Sequence, residues 1–279
     1  MKLTTQLAAA ARLDLAEVLR SRWIWFCVAT YAVLAGVLVT VGARASTIVG
    51  FTGTSRALLA FTHAVLLILP LLALIALVPA IQRARDDGSL ELLLSQPLAP
   101  GAWFVAVCGV RYVALVAPLA AVMAAVGAWG QLVYGDPVPW AFVGRCVAVG
   151  AALLAAFTGI GAAISVFVTS AARGITYLVV AWALGVALLD FGVIGVLLRW
   201  RVDAHAVFVL AGVNPVEAAR LALLSHLQPD LAGFGPVGFY LAQRVGGAGL
   251  FALGVAWPVA VGLGAFAVAY RGFRSADRV

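Results

Sequence analysis

Six long apolar runs, parted by short polar intervals, organise the chain. They predict membrane-crossing helices at Trp23–Val41, at about Leu58–Ile81, at Trp140–Val168, at Ile175–Leu198 and at about Val245–Tyr270. The remaining run, third in order, ends at Trp129 and begins between Trp103 and Tyr112. Each run meets the roughly 20 apolar residues that a helix needs to cross a bilayer core. Pro70, Pro79 and Pro258 fall inside runs. They are tolerable there because neighbouring helices can satisfy the carbonyls that proline frees. Ahead of the first run, Leu3, Leu7, Ala11, Leu15 and Val18 recur at helical spacing, with Arg12, Glu17 and Arg20 off that stripe and Asp14 at its edge. Residues 1–22 are therefore expected to form an amphipathic helix on the inner membrane surface, the alternative being a plain cytoplasmic extension of the first span. Gln131–Pro139 and Thr169–Gly174, the latter carrying Arg173, read as short loops.

The longest charged interruption in the first half is residues 82–101. It holds Arg83, Arg85, Asp86, Asp87 and Glu91. Gly88-Ser89 is a break and restart, since Gly suits a helix C-terminus and Ser an N-cap. Leu90–Ser95 then makes a turn or two of helix, stopped by Pro97 and Pro100. A helix that short is unstable alone in water, so it must lean on the protein or on a partner. In the second half, residues 199–241 form the longest polar segment. Within it Asn214-Pro215-Val216-Glu217 reads as a helix start, and Arg220 lies one turn beyond Glu217. This second short helix either contacts an outer partner or seals the outer end of the bundle.

Composition agrees with the pattern. The 279 residues are 65% hydrophobic and 10% charged, whereas soluble domains are nearer half apolar and a quarter charged. The chain is an all-α membrane protein, a single transmembrane domain over residues 1–279. The net charge of +7 is scattered between apolar runs, which speaks for orientation rather than for nucleic acid. With both termini inside, ten of the 18 basic residues face the cytoplasm and seven face outward, leaving Arg111. Cys27, Cys108 and Cys146 stand alone in apolar segments and suggest neither a disulfide framework nor a metal site. The only lysine is Lys2, so a phosphate-cradling loop with its lysine is absent and the chain is not its own ATPase of that kind. No residues are arranged for catalysis, metal binding or a directly bound cofactor.

Two charges inside the apolar runs need an account. Asp190 lies deep in the fifth run, where a charge is costly unless paired or wet. It either lines a pathway or fixes helix packing. Arg111, near the inner end of the third span, is expected to snorkel towards headgroups. Gly159–Ser165 offers a small-residue face for close packing, within one subunit or across a dimer. Ser165 and Thr169 are expected to hydrogen-bond within the helix.

Arg85-Asp-Asp-Gly-Ser-Leu-Glu-Leu-Leu-Leu-Ser-Gln-Pro-Leu98 resembles the coupling-helix segment of type 2 ABC-exporter permeases. Ala181–Gly195, with Asp190, and Asn214–Leu221 are similar to segments of the NosY-type permeases of nitrous-oxide-reductase maturation. The resemblance implies six transmembrane helices and a homodimer working with a separate cytoplasmic ABC ATPase that binds ATP and Mg. The short segment would be the contact with that ATPase. Arg85, Asp86, Asp87 and Glu91 would supply polar contacts after the turn at Gly88, with Leu90, Leu93 and Leu94 packed inward. It also implies the cytoplasmic (inner) membrane, lipid as solvent, and a periplasmic partner reached through Asn214, Pro215, Glu217 and Arg220. The work done would be export, or conformational work in copper or sulfur delivery. A non-transporting anchor between inner and outer partners is the alternative.

Overall fold

The computed structural model describes residues 3–44, 53–96, 98–134, 140–188, 213–227 and 245–276. Among them the regular structure is helical, without strands. The helices are α1 (Leu3–Arg20), α2 (Arg22–Arg44), α3 (Gly53–Asp86), α4 (Ser89–Leu94), α5 (Pro100–Tyr134) and α6 (Trp140–Phe167). After these come α7 (Ala171–Trp182), which runs on into a π-helical turn at Ala183–Leu188, then α8 (Pro215–Leu227) and α9 (Gly246–Ala276). By length and composition α3, α5, α6 and α9 can each cross a membrane. The pair α1 and α2 passes the same test jointly, bent by 64°, which makes up to five crossings among the described residues. The predicted span Ile175–Leu198 is described only as far as Leu188.

Several of the expected boundaries shift, three of them as follows. The third span starts at Pro100, because proline at a first helical position lacks only an N–H that would be unpaired anyway. The same helix continues to Tyr134, into the stretch read as a loop. The Thr169–Gly174 loop shortens, since α7 begins at Ala171 and the Gly174 N–H already bonds the Ser170 carbonyl at 2.8 Å.

Helix α6 is the hub, packed against α3, α5 and α9. Its small residues explain the closeness. A Cβ on Gly159 would overlap the backbone of Gly262 in α9, and one on Gly262 would overlap Ala155. The small-residue face is thus used within the subunit at this crossing. The core around α6 gathers Leu66, Leu69, Leu119, Leu153 and Phe157, all buried. The carbonyls of Leu67 and Ala76, three residues before Pro70 and Pro79, accept hydrogen bonds from Trp182 (3.1 Å) and Arg111 (2.9 Å).

Candidate functional site at the α4 end

One end of the bundle collects α4, the C-terminal ends of α3, α6 and α9, and the first turns of α5. Helix α4 exists because the chain reverses at Gly88, whose φ of 71° suits glycine. Gly88 ends α3 through its N–H to the Arg85 carbonyl (3.2 Å) and also stands at the N-cap of α4. Ser89, expected to be that cap, is instead the first helical residue. Its N–H is accepted at 2.9 Å by the Asp87 carboxylate, an acceptor with more charge to offer than a hydroxyl. Hydrogen bonds from Ser89, first through its side chain and then through its N–H, hold the Asp87 carboxyl below the usual carboxylate range. The Ser89 hydroxyl also lies 3.3 Å from the Ala84 carbonyl, so its one proton has two acceptors.

Leu90 turns inward among Trp103, Phe104 and Phe273 and keeps only 8% of its surface. Leu93 is half-buried against the same cluster; the side chain of Leu94 lies outside the described residues, as does Pro97. The cluster is aromatic, with Phe104 and Phe273 stacked at 4.8 Å and Trp103 and Phe273 at 5.9 Å, which fixes α5 to α9 beneath α4. The outward face carries Asp86, Asp87, Glu91, Ser95 and Gln96, all exposed. Leu92 stands among them at 71% exposure. The signal for Leu92 was in the spacing: if Leu90, Leu93 and Leu94 share the inner face, Leu92 points the opposite way. Arg85, expected to contact a partner, is half-buried and donates to the Ser165 carbonyl of α6 at 2.9 Å. Ser165 itself bonds back to Ala162 at 2.7 Å, as its sequence position suggested.

Beside α4 lies a buried ion pair. Arg111 of α5 does not snorkel; it is 4% exposed. Its guanidinium meets the Asp14 carboxylate at 3.0 Å, Glu17 at 3.6 Å and the ring of Trp23 at 5.8 Å. The cause is α1, which lies over α5 with Ala10, Asp14 and Val18 turned inward. Of the leucine stripe expected to face the membrane, Leu3, Leu7 and Leu15 are exposed. Gln6, also on α1, accepts the Ala99 N–H at 3.1 Å and so ties α1 to the linker after α4.

At the opposite end, α8 begins as its motif requires. The Asn214 side chain accepts the Val216 N–H at 3.0 Å, with Pro215 first in the helix. The same side chain donates to the Gly185 carbonyl in the π-helical turn at 2.9 Å. Glu217 and Arg220 pair with each other at 2.6 Å and are largely buried. Of the four residues expected to meet an outer partner, Asn214 is buried and Pro215, Glu217 and Arg220 are half-buried. Asp190 lies outside the described residues. No cluster of three or more potential metal ligands occurs among those described.

Long apolar helices around a glycine-packed hub, with a short helix presented at one end, define a multi-pass helical membrane protein. The chain belongs to the ABC-2 family of transporter proteins, whose family model matches residues 8–269. Its long apolar helices suit a membrane-spanning member of that family. Among curated proteins it is similar to the probable ABC transporter permease protein NosY of Pseudomonas aeruginosa and to that of Stutzerimonas stutzeri. Each is 35% identical over 91 residues, covering 33% of this chain and 33% of the relative.

Proposed function

We propose that α4 is the handle by which a separate cytoplasmic ATPase moves this permease. The observation that carries the reading is the division of α4 into two faces. Leu90 is sunk into the buried cluster that α3, α5, α6 and α9 share, while Glu91 and Leu92 project outward. A force on the outer face is therefore delivered to the long helices of that cluster through packed side chains. On this reading residues 82–101 and both termini are cytoplasmic, the membrane is the inner one, and α1 lies along its surface. ATP and Mg belong to the partner subunit, and the chain acts as a homodimer. The similarity to NosY extends the proposal to conformational work on a periplasmic partner, in copper or sulfur delivery to nitrous oxide reductase. The test is Glu91→Arg with Leu92→Asp. ATPase co-purification should fall by about tenfold or more while membrane insertion is unchanged. Undiminished co-purification would remove α4 from the interface.

A further inference from the structure

A cavity of about 850 Å³ sits in the elbow between α1 and α2. Arg20, Arg22, Arg83 and Arg111 line it, with Glu17 as the one acid. Glu17 already faces Arg111 at 3.6 Å. Arg20 and Arg22 are exposed, and their side chains make no ion pair or hydrogen bond among the described residues. Arg111, at the floor, is buried, and its Nε has no hydrogen-bond partner among those residues. Four guanidinium groups against two carboxylates, Glu17 and the Asp14 that pairs with Arg111, still leave a surplus of positive charge and of N–H donors. Arginine's planar fork matches phosphate oxygens.

The surroundings decide what kind of phosphate. Trp23 lines the cavity wall, and just beyond it Trp25 and Phe26 are exposed at 66% and 60%. Leu13, at the cavity, and Leu19 are exposed as well. A charged hollow beside an apolar, aromatic surface suits an amphiphile lying at a membrane interface. A zwitterionic headgroup would bring its ammonium close to the surplus guanidinium charge, a repulsion that an anionic headgroup avoids.

We propose that this elbow cavity binds the phosphodiester headgroup of an anionic phospholipid, with Arg20 and Arg22 as its outer ligands and Arg111 beneath. The proposal rests on α1 being an interfacial helix, but not on any ATPase. A second cavity of about 310 Å³, lined by Asp87, Ser89 and Leu93, shares Glu17, Arg83 and Arg111 with the first, so an occupant would sit one side chain away from α4.

Native mass spectrometry of the purified full chain, titrated with phosphatidylglycerol or phosphatidylcholine, tests it. Phosphatidylglycerol should be retained preferentially. Arg20→Gln with Arg22→Gln should weaken that retention by roughly tenfold or more, and Arg271→Gln with Arg274→Gln should not. Both pairs are exposed, Arg274 lying over the half-buried ring of Tyr270 at 5.8 Å, and an unchanged thermal midpoint confirms folding. Equal retention of the two lipids, or equal loss in both double variants, overturns the proposal. Displacement of the lipid by millimolar inorganic phosphate would assign the hollow to a soluble anion and overturn the lipid source. Because the ATPase is not in the measurement, failure here leaves the permease reading standing; that reading fails on co-purification.

Discussion

Asp14 and Arg111 lie 97 positions apart and meet at 3.0 Å with almost no water around them. Each looked anomalous by itself, an acid at the edge of an apolar stripe and a base inside a span. The clue available in the sequence was that they are opposite in sign, since a buried charge persists only when paired. What the sequence lacked was the direction of α1, which decides whether the two can touch. Asp14→Ala leaves an uncompensated buried guanidinium and should cost about 3 kcal/mol, less whatever Glu17 recovers. Asp14→Leu with Arg111→Met removes both charges and should regain most of that loss. Thermal unfolding of the two variants in one detergent separates the outcomes, and equal destabilisation would contradict a pairwise role. Asp87 makes a different prediction. Its carboxyl is held below its ordinary value of 3.8 by the cap it gives Ser89. A lowered folded value means that the contribution is complete above the unfolded value and is lost as pH falls through the folded one. Hydrogen exchange at the Ser89 amide should therefore quicken, relative to uncapped amides, only below about pH 4. In Asp87→Ala the protection should be missing at neutral pH as well.

At the scale of elements, the runs were legible because the bilayer demands them, and their ends were less so because polarity changes gradually where helices outlast the membrane. Helix α3 reaches Asp86 although its apolar run stops at Ile81, and α5 starts at Pro100 ahead of its run. The α4 stretch was read within a residue, since Gly88 and the flanking prolines punctuate it. Its facing was only half read, because a six-residue helix gives too few positions for a period. The crossing of α6 and α9 could be suspected from glycine content, but its partner residue depends on tertiary placement. That crossing is open to test. Gly262→Val forces a branched side chain into the Ala155 backbone and should destabilise by about 1–3 kcal/mol or reduce folded yield. Gly264→Ala, two residues along the same helix with nothing within 4 Å, should be neutral in the same assay. If both are tolerated, the helices do not depend on close approach there.

For the whole molecule, the decisive property is that one end gathers the end of α3, the start of α5, the end of α6 and the end of α9, with α1 laid beside them. Alternation of spans requires this if the apolar runs cross in turn, so the fold and the hydropathy pattern agree without any reference to the ATPase. Charge alone pointed to the same topology, but only by a small majority of arginines, because several basic residues serve as packing contacts. Arg85 on Ser165 and Arg145 over the Phe251 ring are examples. Direct mapping is therefore worth more than counting, and the native cysteines permit it. Cys27, Cys108 and Cys146 are all buried and free, so background labelling should be low. Single replacements Ser95→Cys after α4 and Ser275→Cys in the last turn of α9 should behave alike. Both should resist a membrane-impermeant maleimide in intact cells and react once the membrane is opened. Leu132→Cys, 82% exposed near the far end of α5, should react in intact cells. Reaction of Ser95→Cys from outside would place α4 beyond the reach of any cytoplasmic ATPase. Opposite behaviour of Ser95→Cys and Ser275→Cys would break the helical arrangement itself.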